Sequence, residues 1–209
     1  MRKRLHRLSS LEVQQRLLRQ PLTVITKTEF ARLFALSDMQ TYRVVAQAVQ
    51  DGVLGRLKPG IYYLIAKPPT AFDVANALYT PSYISLETAL SYYRVIPENV
   101  YTITSITPKH SRRFTALQRE YTYSSLKAQL YFGYQKLVIG GRPIVMAEKE
   151  KAFLDYLYLV ARGLKKLNER FDLSSLNKDK IASHLPHFYQ TLQGRKKQAF
   201  HTLISKLPL

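Results

Sequence analysis

The 209-residue chain contains no cysteine and only 14 acidic residues. Without cysteine it can form no disulfide, no thiolate metal site and no cysteine nucleophile. It also has no apolar run approaching the ~20 residues of a membrane-spanning helix, which argues against an integral membrane protein. The basic start of the chain leads into residues 9–16, which are too polar for an export signal. We therefore expect a cytoplasmic protein.

Positive charge is what the sequence has in excess. The chain carries 32 Lys and Arg residues, which give a formal net charge of +18. Such a charge attracts polyanions, usually nucleic acid or an anionic membrane surface. Residues 1–67 hold 12 basic and 4 acidic residues, a net +8, whereas the other 142 residues net +10. The charge is therefore denser at the start, and the sequence leaves open whether the later region also contacts DNA or an acidic partner.

The first 65 residues contain three helix starts of one kind. A hydroxyl residue is followed three positions later by Glu or Gln, and apolar residues at helical spacing come next. The pairs are Ser9 and Glu12, Thr26 and Glu29, and Ser37 and Gln40. Each pair fits a capping box, in which two side chains satisfy the unpaired amides of the first turn. The pattern predicts three short helices, of which the third ends at Gly52.

A β-hairpin is predicted directly after these helices. Residues 53–57 and 61–65 are rich in β-forming side chains and flank Pro59 and Gly60, which suit the central positions of a type II turn. Three helices followed by a hairpin is the order of a winged helix-turn-helix. We therefore predict a winged-helix DNA-binding domain over residues 1–67.

The third helix occupies the recognition position of this motif. Gln40, Arg43, Gln47 and Gln50 form a polar stripe on it, and Arg can bind guanine, and Gln adenine, through two hydrogen bonds. Taken alone such a stripe is more often a solvated face, but its place in the motif favours base reading, with Thr41 and Tyr42 reaching phosphates. The predicted DNA-binding residues are Arg2, Lys3, Arg4 and Arg7 in an N-terminal arm, Ser37, Gln40, Thr41, Tyr42, Arg43 and Gln47 on the helix, and Arg56 and Lys58 in the wing.

The remainder of the chain has a mixed pattern. Pro68 and Pro69 indicate a linker, and a second domain is predicted over residues 70–209. The overall class is α+β: the winged helix, then a mixed α/β domain with antiparallel strands, then a helical C-terminal tail from Ser174. Helices are expected over 71–78, 85–93 and 148–162, strands around 101–106, 114–117 and 121–123, and a hairpin at 134–139 and 142–146.

No motif of a known active site stands in the sequence. Gly-rich phosphate loops, nucleophile elbows and paired metal-binding histidines on a helix are missing. His184 and His187 flank Pro186 and are interpreted as a turn rather than a metal site. Glu148 and Glu150 fail the acid-x-Lys spacing of many nucleases and suit a charged first helical turn instead. We expect no enzyme activity, no catalytic residue, no metal and no cofactor.

Three segments resemble the AbiEi antitoxins of type IV toxin-antitoxin (abortive infection) systems. They are residues 55–62 (GRLKPGIY), 81–90 (PSYISLETAL) and 150–155 (EKAFLD), and the resemblance covers roughly residues 25–160. It implies a bacterial or phage-defence protein that represses its own operon. Double-stranded DNA with inverted repeats at its own promoter is then the expected partner. The second domain would counteract a cognate nucleotidyltransferase-like toxin, with or without direct contact.

The resemblance draws attention to Ser85, Glu87, Glu150, Lys151 and Asp155. Ser85 is expected to cap a helix with Glu87 in its first turn. Lys151 and Asp155 lie one helical turn apart and are expected to pair on the surface, for on the order of a few tenths of a kcal/mol. A structural role and a role in partner contact are equally compatible with these five. The alternative for the whole chain is a plain winged-helix regulator whose second domain dimerises or senses a ligand.

Overall fold

The computed structural model describes residues 8–206, and its fold class is α+β, as the sequence predicts. The chain forms two compact units, the first ending at Leu78 and the second beginning at Tyr79. Within the described range, no helix combines the length and the apolar character that crossing a bilayer requires.

The first unit has the element order of a winged helix. Its elements are α1 (Ser10–Leu18), β1 (Val24–Thr26), α2 (Lys27–Phe34), α3 (Asp38–Gln50), β2 (Leu54–Lys58), β3 (Ile61–Leu64) and α4 (Ala71–Leu78). The three strands form an antiparallel sheet in the order β1-β3-β2. The three helices and the hairpin are confirmed. The sequence analysis missed β1, because three residues are too few to show an alternating pattern.

All three predicted capping boxes are present. In each, the cap hydroxyl accepts a hydrogen bond from the amide three residues on, and the later side chain accepts one from the cap amide. At Ser9, for example, Glu12 Oε2 lies 2.8 Å from the cap nitrogen. These contacts lie within one turn of chain, which is why the sequence alone predicts them.

The core of the first unit lies between its helices and its sheet. It contains Val13, Leu17, Ile25, Phe30, Phe34, Val45, Ala48, Leu54 and Leu64. Helix α4 belongs to the same unit, because it contacts β1 and β2 and buries Val74, Ala75 and Leu78. The unit therefore ends later than the predicted boundary at residues 67–70. The two prolines end the hairpin, but the apolar face of α4 still packs on the sheet.

The second unit contains a six-stranded sheet and four helices among its described residues. The elements are β4 (Tyr83–Ile84), α5 (Leu86–Tyr92), β5 (Ile103–Thr107), β6 (Arg112–Ala116), β7 (Arg119–Ser125), a 3-10 turn (Ala128–Leu130), β8 (Tyr134–Ile139), β9 (Arg142–Ala147), α6 (Lys149–Ala161), α7 (Lys178–Thr191) and α8 (Gly194–Ser205). The strand order is β6-β7-β5-β4-β9-β8. Antiparallel pairing is confirmed for three pairs, whereas β4 with β9 and β5 with β7 are parallel, so the sheet is mixed.

Helix α6 is the centre of the second unit. Every residue from Glu150 to Leu159 is buried, because α5, α7 and α8 all pack against this helix. A helix surrounded in this way shows no polar face. The helical tail is confirmed as α7 and α8. His184 and His187 lie inside α7, which continues through Pro186, so their assignment to a turn is wrong.

Candidate nucleic-acid interface

Helix α3 presents one exposed face along its whole length. Its residues are spaced alternately three and one positions apart, as one face of a helix requires. They are Met39, Tyr42, Arg43, Ala46, Gln47 and Gln50. The opposite face, with Thr41, Val45 and Ala48, is buried against the core. Met39 and Tyr42 are 66% and 71% exposed, although large hydrophobic side chains are usually covered. Three of the residues predicted to bind DNA, Tyr42, Arg43 and Gln47, therefore lie on an accessible helix face.

Three of the predicted contact residues serve the start of α3 instead. Gln40 Oε1 accepts a hydrogen bond from the Ser37 amide at 2.9 Å, and Ser37 Oγ accepts one from the Gln40 amide at 3.4 Å. Thr41 is fully buried, and its hydroxyl donates to the Ser37 carbonyl at 2.8 Å. The expectation that Thr41 reaches a phosphate is wrong, because its side chain faces the core. Ser37 and Gln40 hold the helix start in place.

Gln47 is exposed but already hydrogen-bonded. Its Nε2 donates to Asp51 Oδ1 at 2.8 Å, and Ser10 Oγ donates to Asp51 Oδ2 at 2.5 Å. These two bonds, from Ser10 first and Gln47 second, lower the pKa of Asp51. The carboxylate therefore stays charged at the C-terminal end of α3 and orients the Gln47 amide. Sequence reasoning missed Asp51, although an acid four residues after Gln47 is one helical turn away.

A second carboxylate stands at the other end of the helix. Asp38 is 93% exposed at its side chain and pairs with Lys27 at 3.3 Å, which joins the starts of α2 and α3. Negative side chains at both ends of α3 limit the surface that a phosphate backbone can approach. Arg43 lies between these two carboxylates in the sequence, near the middle of the helix.

The wing is a short hairpin with a tight tip. Gly60 has φ +82°, as the second central position of a type II turn requires, and its carbonyl accepts a hydrogen bond from the Lys27 amide at 2.8 Å. Arg56 is exposed on β2, and Lys58 is half-buried beside the tip. A register shift between these two residues bends the strand. The wing therefore carries Arg56 on a rigid, anchored support.

Gly55 permits the close packing of this hairpin. It pairs with Tyr63 across the strands, and an added Cβ would lie 2.1 Å from the Tyr63 Cζ atom. The tyrosine ring therefore covers the glycine backbone, and any side chain there would displace it. The remaining predicted contacts, Arg2, Lys3, Arg4 and Arg7, lie outside the described residues.

The residues singled out by the family resemblance form a buried polar network in the second unit. Asp155 Oδ2 accepts hydrogen bonds from the Tyr83 hydroxyl at 3.0 Å and from Ser85 Oγ at 2.9 Å, and Asp155 Oδ1 pairs with the Lys151 ammonium. The side chains of Lys151 and Asp155 are fully buried. The prediction that Lys151 and Asp155 pair on the surface is therefore wrong. Ser85 makes no side-chain cap at α5, because its hydroxyl donates to Asp155 instead.

Burial governs the titration of this network. It raises the pKa of Asp155 and lowers that of Lys151, and in each case the partner's charge opposes the shift. Burial, followed by the charge of Asp155, raises the pKa of Tyr83 well above its usual value. Lys151 Nζ also lies 5.1 Å and 5.2 Å from the ring centres of Phe132 and Phe188. The ammonium is thus enclosed by aromatic rings as well as by its carboxylate partner.

The other two motif residues have separate partners. Glu150 is buried and accepts a hydrogen bond from the Asn177 amide at 3.0 Å, which ties the start of α7 to α6. Glu87 is 27% exposed at its side chain and pairs with Lys165. Four of the five motif residues are therefore buried, and in the described structure they hold the second unit together.

Comparison with known proteins does not assign the chain to a family. The sequence matches no model of a known protein family, and no curated protein matches it either.

Proposed function

We propose that this chain is a cytoplasmic DNA-binding transcriptional repressor that reads a DNA duplex with α3. The observation that carries the proposal is the accessible face of α3, with Arg43 at its centre, at the recognition position of a winged helix. The net charge of +18 supports a polyanionic partner. The proposal assigns no reaction, cofactor or metal to the chain.

Each part of the surface has a distinct task in this proposal. An α-helix fits the major groove, which is about 12 Å wide, and the Arg43 guanidinium can donate to two acceptors of one guanine. Tyr42 and Met39 contribute apolar area beside it. Arg56 on the wing contacts phosphate, which adds affinity without sequence preference. Inverted repeats upstream of the chain's own gene are the proposed target.

Mobility shifts with the promoter duplex test the proposal. Arg43→Ala should weaken binding by about 1–3 kcal/mol and relax base preference, because a bidentate base contact is lost. Arg56→Ala should weaken binding to promoter and random duplex alike. Arg19→Ala is the matched control, since Arg19 ends α1, which packs on the buried side of α3. Equal affinity for promoter and random duplex at moderate salt would overturn the proposal.

We also propose that the repressor is the antitoxin of a type IV toxin-antitoxin system. The support is the resemblance of three segments, in order, to AbiEi antitoxins. The alternative is a plain winged-helix regulator whose second unit dimerises or senses a ligand. The two differ in what they predict for an adjacent gene, which must encode a nucleotidyltransferase-like toxin in the first case.

Co-expression of the chain with the product of the adjacent gene distinguishes the antitoxin from the plain regulator. The neighbouring gene is expressed from an unrelated promoter, so that repression of the native operon cannot protect the cell. Growth rescue by the wild-type chain, and equally by the Arg43→Ala variant, supports an antitoxin that acts apart from DNA binding. If the wild-type chain gives no rescue, the antitoxin form is wrong and the plain regulator remains.

A further inference from the structure

A basic cavity lies in the second unit, in a region that the proposed DNA contacts do not use. It has a volume of about 430 Å³ and is bordered by the end of α6, the junction of α7 with α8, and the segment before the 3-10 turn. Its lining residues are Lys127, Tyr158, Arg162, Thr191, Leu192, Gln193, Arg195 and Lys196. They come from three separate stretches of the sequence, so the cavity is a product of the tertiary fold.

The lining of this cavity is strongly cationic. Four of its eight described residues are basic and none is acidic. Across residues 8–206, none of these four basic residues forms an ion pair with a carboxylate, whereas Lys149, Lys151, Lys165 and Lys180 of the same unit all do. Uncompensated cations in a concave surface concentrate the positive field and attract anions. The cavity is therefore suited to a ligand with more than one negative charge.

Two of the cations are held in position by the fold. Lys127 Nζ donates a hydrogen bond to the Thr191 carbonyl at 2.8 Å, and the Arg162 guanidinium carbon lies 5.5 Å from the centre of the Tyr158 ring. Their rotamers are restricted before any ligand arrives, which lowers the entropy cost of binding. Arg195 and Lys196 are exposed lining residues, so their side chains can reorient toward a ligand.

The start of helix α8 lies at the cavity, because Gln193, Arg195 and Lys196 are lining residues. Helix α8 begins at Gly194, and the amide of Lys197 donates to the carbonyl of Gln193, the residue that precedes the helix. The Gln193 side chain does not cap the helix. The amides of Gly194, Arg195 and Lys196 therefore stand at the positive end of a 12-residue helix without an intrahelical partner. A phosphate group placed there would accept from these amides as well as from the side chains.

The volume of the cavity and the apolar part of its lining limit the kind of ligand that it can hold. Tyr158 and Leu192 contribute apolar atoms to the lining beside the cationic side chains. Small-molecule sites of about 300–1,000 Å³ hold ligands of nucleotide size, and this cavity lies within that range. A flat nucleic-acid surface would instead require an extended cationic strip.

We propose that this cavity binds the phosphate groups of a phosphorylated small molecule of mononucleotide size. In this proposal the phosphates contact Arg195, Lys196 and the first amides of α8. Lys127 and Arg162 supply further positive charge to balance the phosphates. The rest of the ligand lies against the side of the cavity that contains Tyr158. The site is distinct from α3 and the wing, and it holds whether or not the chain is an antitoxin.

Titration calorimetry of the full chain with inorganic pyrophosphate and with ATP tests this site, at physiological ionic strength. The test variant is Arg195→Gln with Lys196→Gln. The matched control is Lys197→Gln with Lys206→Gln, which removes two cations from the same end of the chain but none from the cavity lining. We expect one bound ligand per chain, weakened roughly tenfold or more in the test variant, since charge-assisted hydrogen bonds are lost. The control should bind as the wild type does.

A short single-stranded oligonucleotide is titrated in parallel, and two results would overturn the proposal whereas two would support it. Equal weakening in both variants would mean attraction by the general charge and would overturn the proposal. So would binding confined to a single-stranded oligonucleotide, with none for pyrophosphate or ATP. Tighter binding of ATP than of pyrophosphate would support the proposal and assign contacts to the nucleoside, whereas equal binding would support a site for phosphate alone. Hydrogen exchange of peptides spanning residues 191–197 should slow on binding, which confirms the location independently of affinity.

Discussion

Replacing Asp155 with alanine tests whether the residues of the family motif belong to the core. Asp155 accepts from the Tyr83 and Ser85 hydroxyls and pairs with Lys151, all in a region without solvent access. The substitution leaves these three donors without their carboxylate. The most costly of them is the Lys151 ammonium, which then lies buried beside aromatic rings with no counter-charge.

The expected cost follows from this geometry. Breaking a buried ion pair by removing one partner costs about 3–5 kcal/mol. A surface pair at the same helical spacing would cost only about 0.2–0.5 kcal/mol. The two interpretations of Lys151 and Asp155 therefore differ by about tenfold in free energy. At about 1.4 kcal/mol per tenfold, the larger value increases the open population of α6 by roughly two to four orders of magnitude.

Hydrogen exchange measured peptide by peptide suits this test, because the chain has two units that need not unfold together. Amides of α6 report the perturbation, and amides of α3 provide a reference in the first unit. The matched control is Lys151→Met combined with Asp155→Leu. Removing both charges together leaves no buried ion, so most of the lost stability should return.

Two results would refute this reasoning. If Asp155→Ala changes the exchange of α6 by no more than about twofold, the pair contributes no more than a surface pair would. If the double substitution is as unstable as the single one, the loss comes from shape and packing rather than from an unpaired charge. In either case the network would not be the electrostatic centre of the second unit.

Three further predictions concern single positions. Asp51→Asn removes a negative charge from the C-terminal end of α3, so affinity for any duplex should rise a few-fold in mobility shifts. Gly133 has φ +67°, and an added Cβ would lie 2.9 Å from Lys151 Cγ, so Gly133→Ala should cost about 1–3 kcal/mol in denaturant unfolding. Burial raises the pKa of Tyr131 from 10.0 to about 12. Its contribution to stability is therefore complete below pH 10 and is lost as the pH rises toward 12, which phenolate absorbance of the folded and the unfolded chain will show.

Local chemistry explains what the sequence predicts well. The capping boxes at Ser9, Thr26 and Ser37 involve residues three positions apart, and the wing turn depends on two adjacent residues, Pro59 and Gly60. Such features need no knowledge of distant chain segments. The winged-helix order follows from them, together with the change from helical to alternating apolar spacing.

The errors concern contacts between distant segments. The position of Thr41 near the N-terminus of α3 predicts a phosphate contact, but its side chain faces the core. The spacing of Lys151 and Asp155, one helical turn apart, predicts a surface pair, but both side chains are buried. Their burial depends on Tyr83 and Ser85, about 70 residues earlier, as the separations of 72 and 70 residues in the two hydrogen bonds show. The parallel pairing of β4 with β9 is likewise invisible in the sequence, because β4 has only two residues.

A substitution at Glu87 tests whether the family motif also contacts a partner. Of the five motif residues it alone has an accessible side chain, 27% exposed, and its Oε2 is buried without a hydrogen-bond partner while the carboxylate pairs with Lys165. A partner touches only the surface, so any direct contact through the motif must use this residue.

Glu87→Gln keeps the shape of the side chain and removes its charge. If the motif contacts a toxin, this variant should fold, bind promoter DNA as the wild type does, and fail to rescue growth on co-expression. Lys165→Gln is the matched control, because it breaks the same ion pair but leaves the carboxylate in place. Full rescue by Glu87→Gln would exclude charge recognition of a toxin through the motif and leave the five residues a structural role alone.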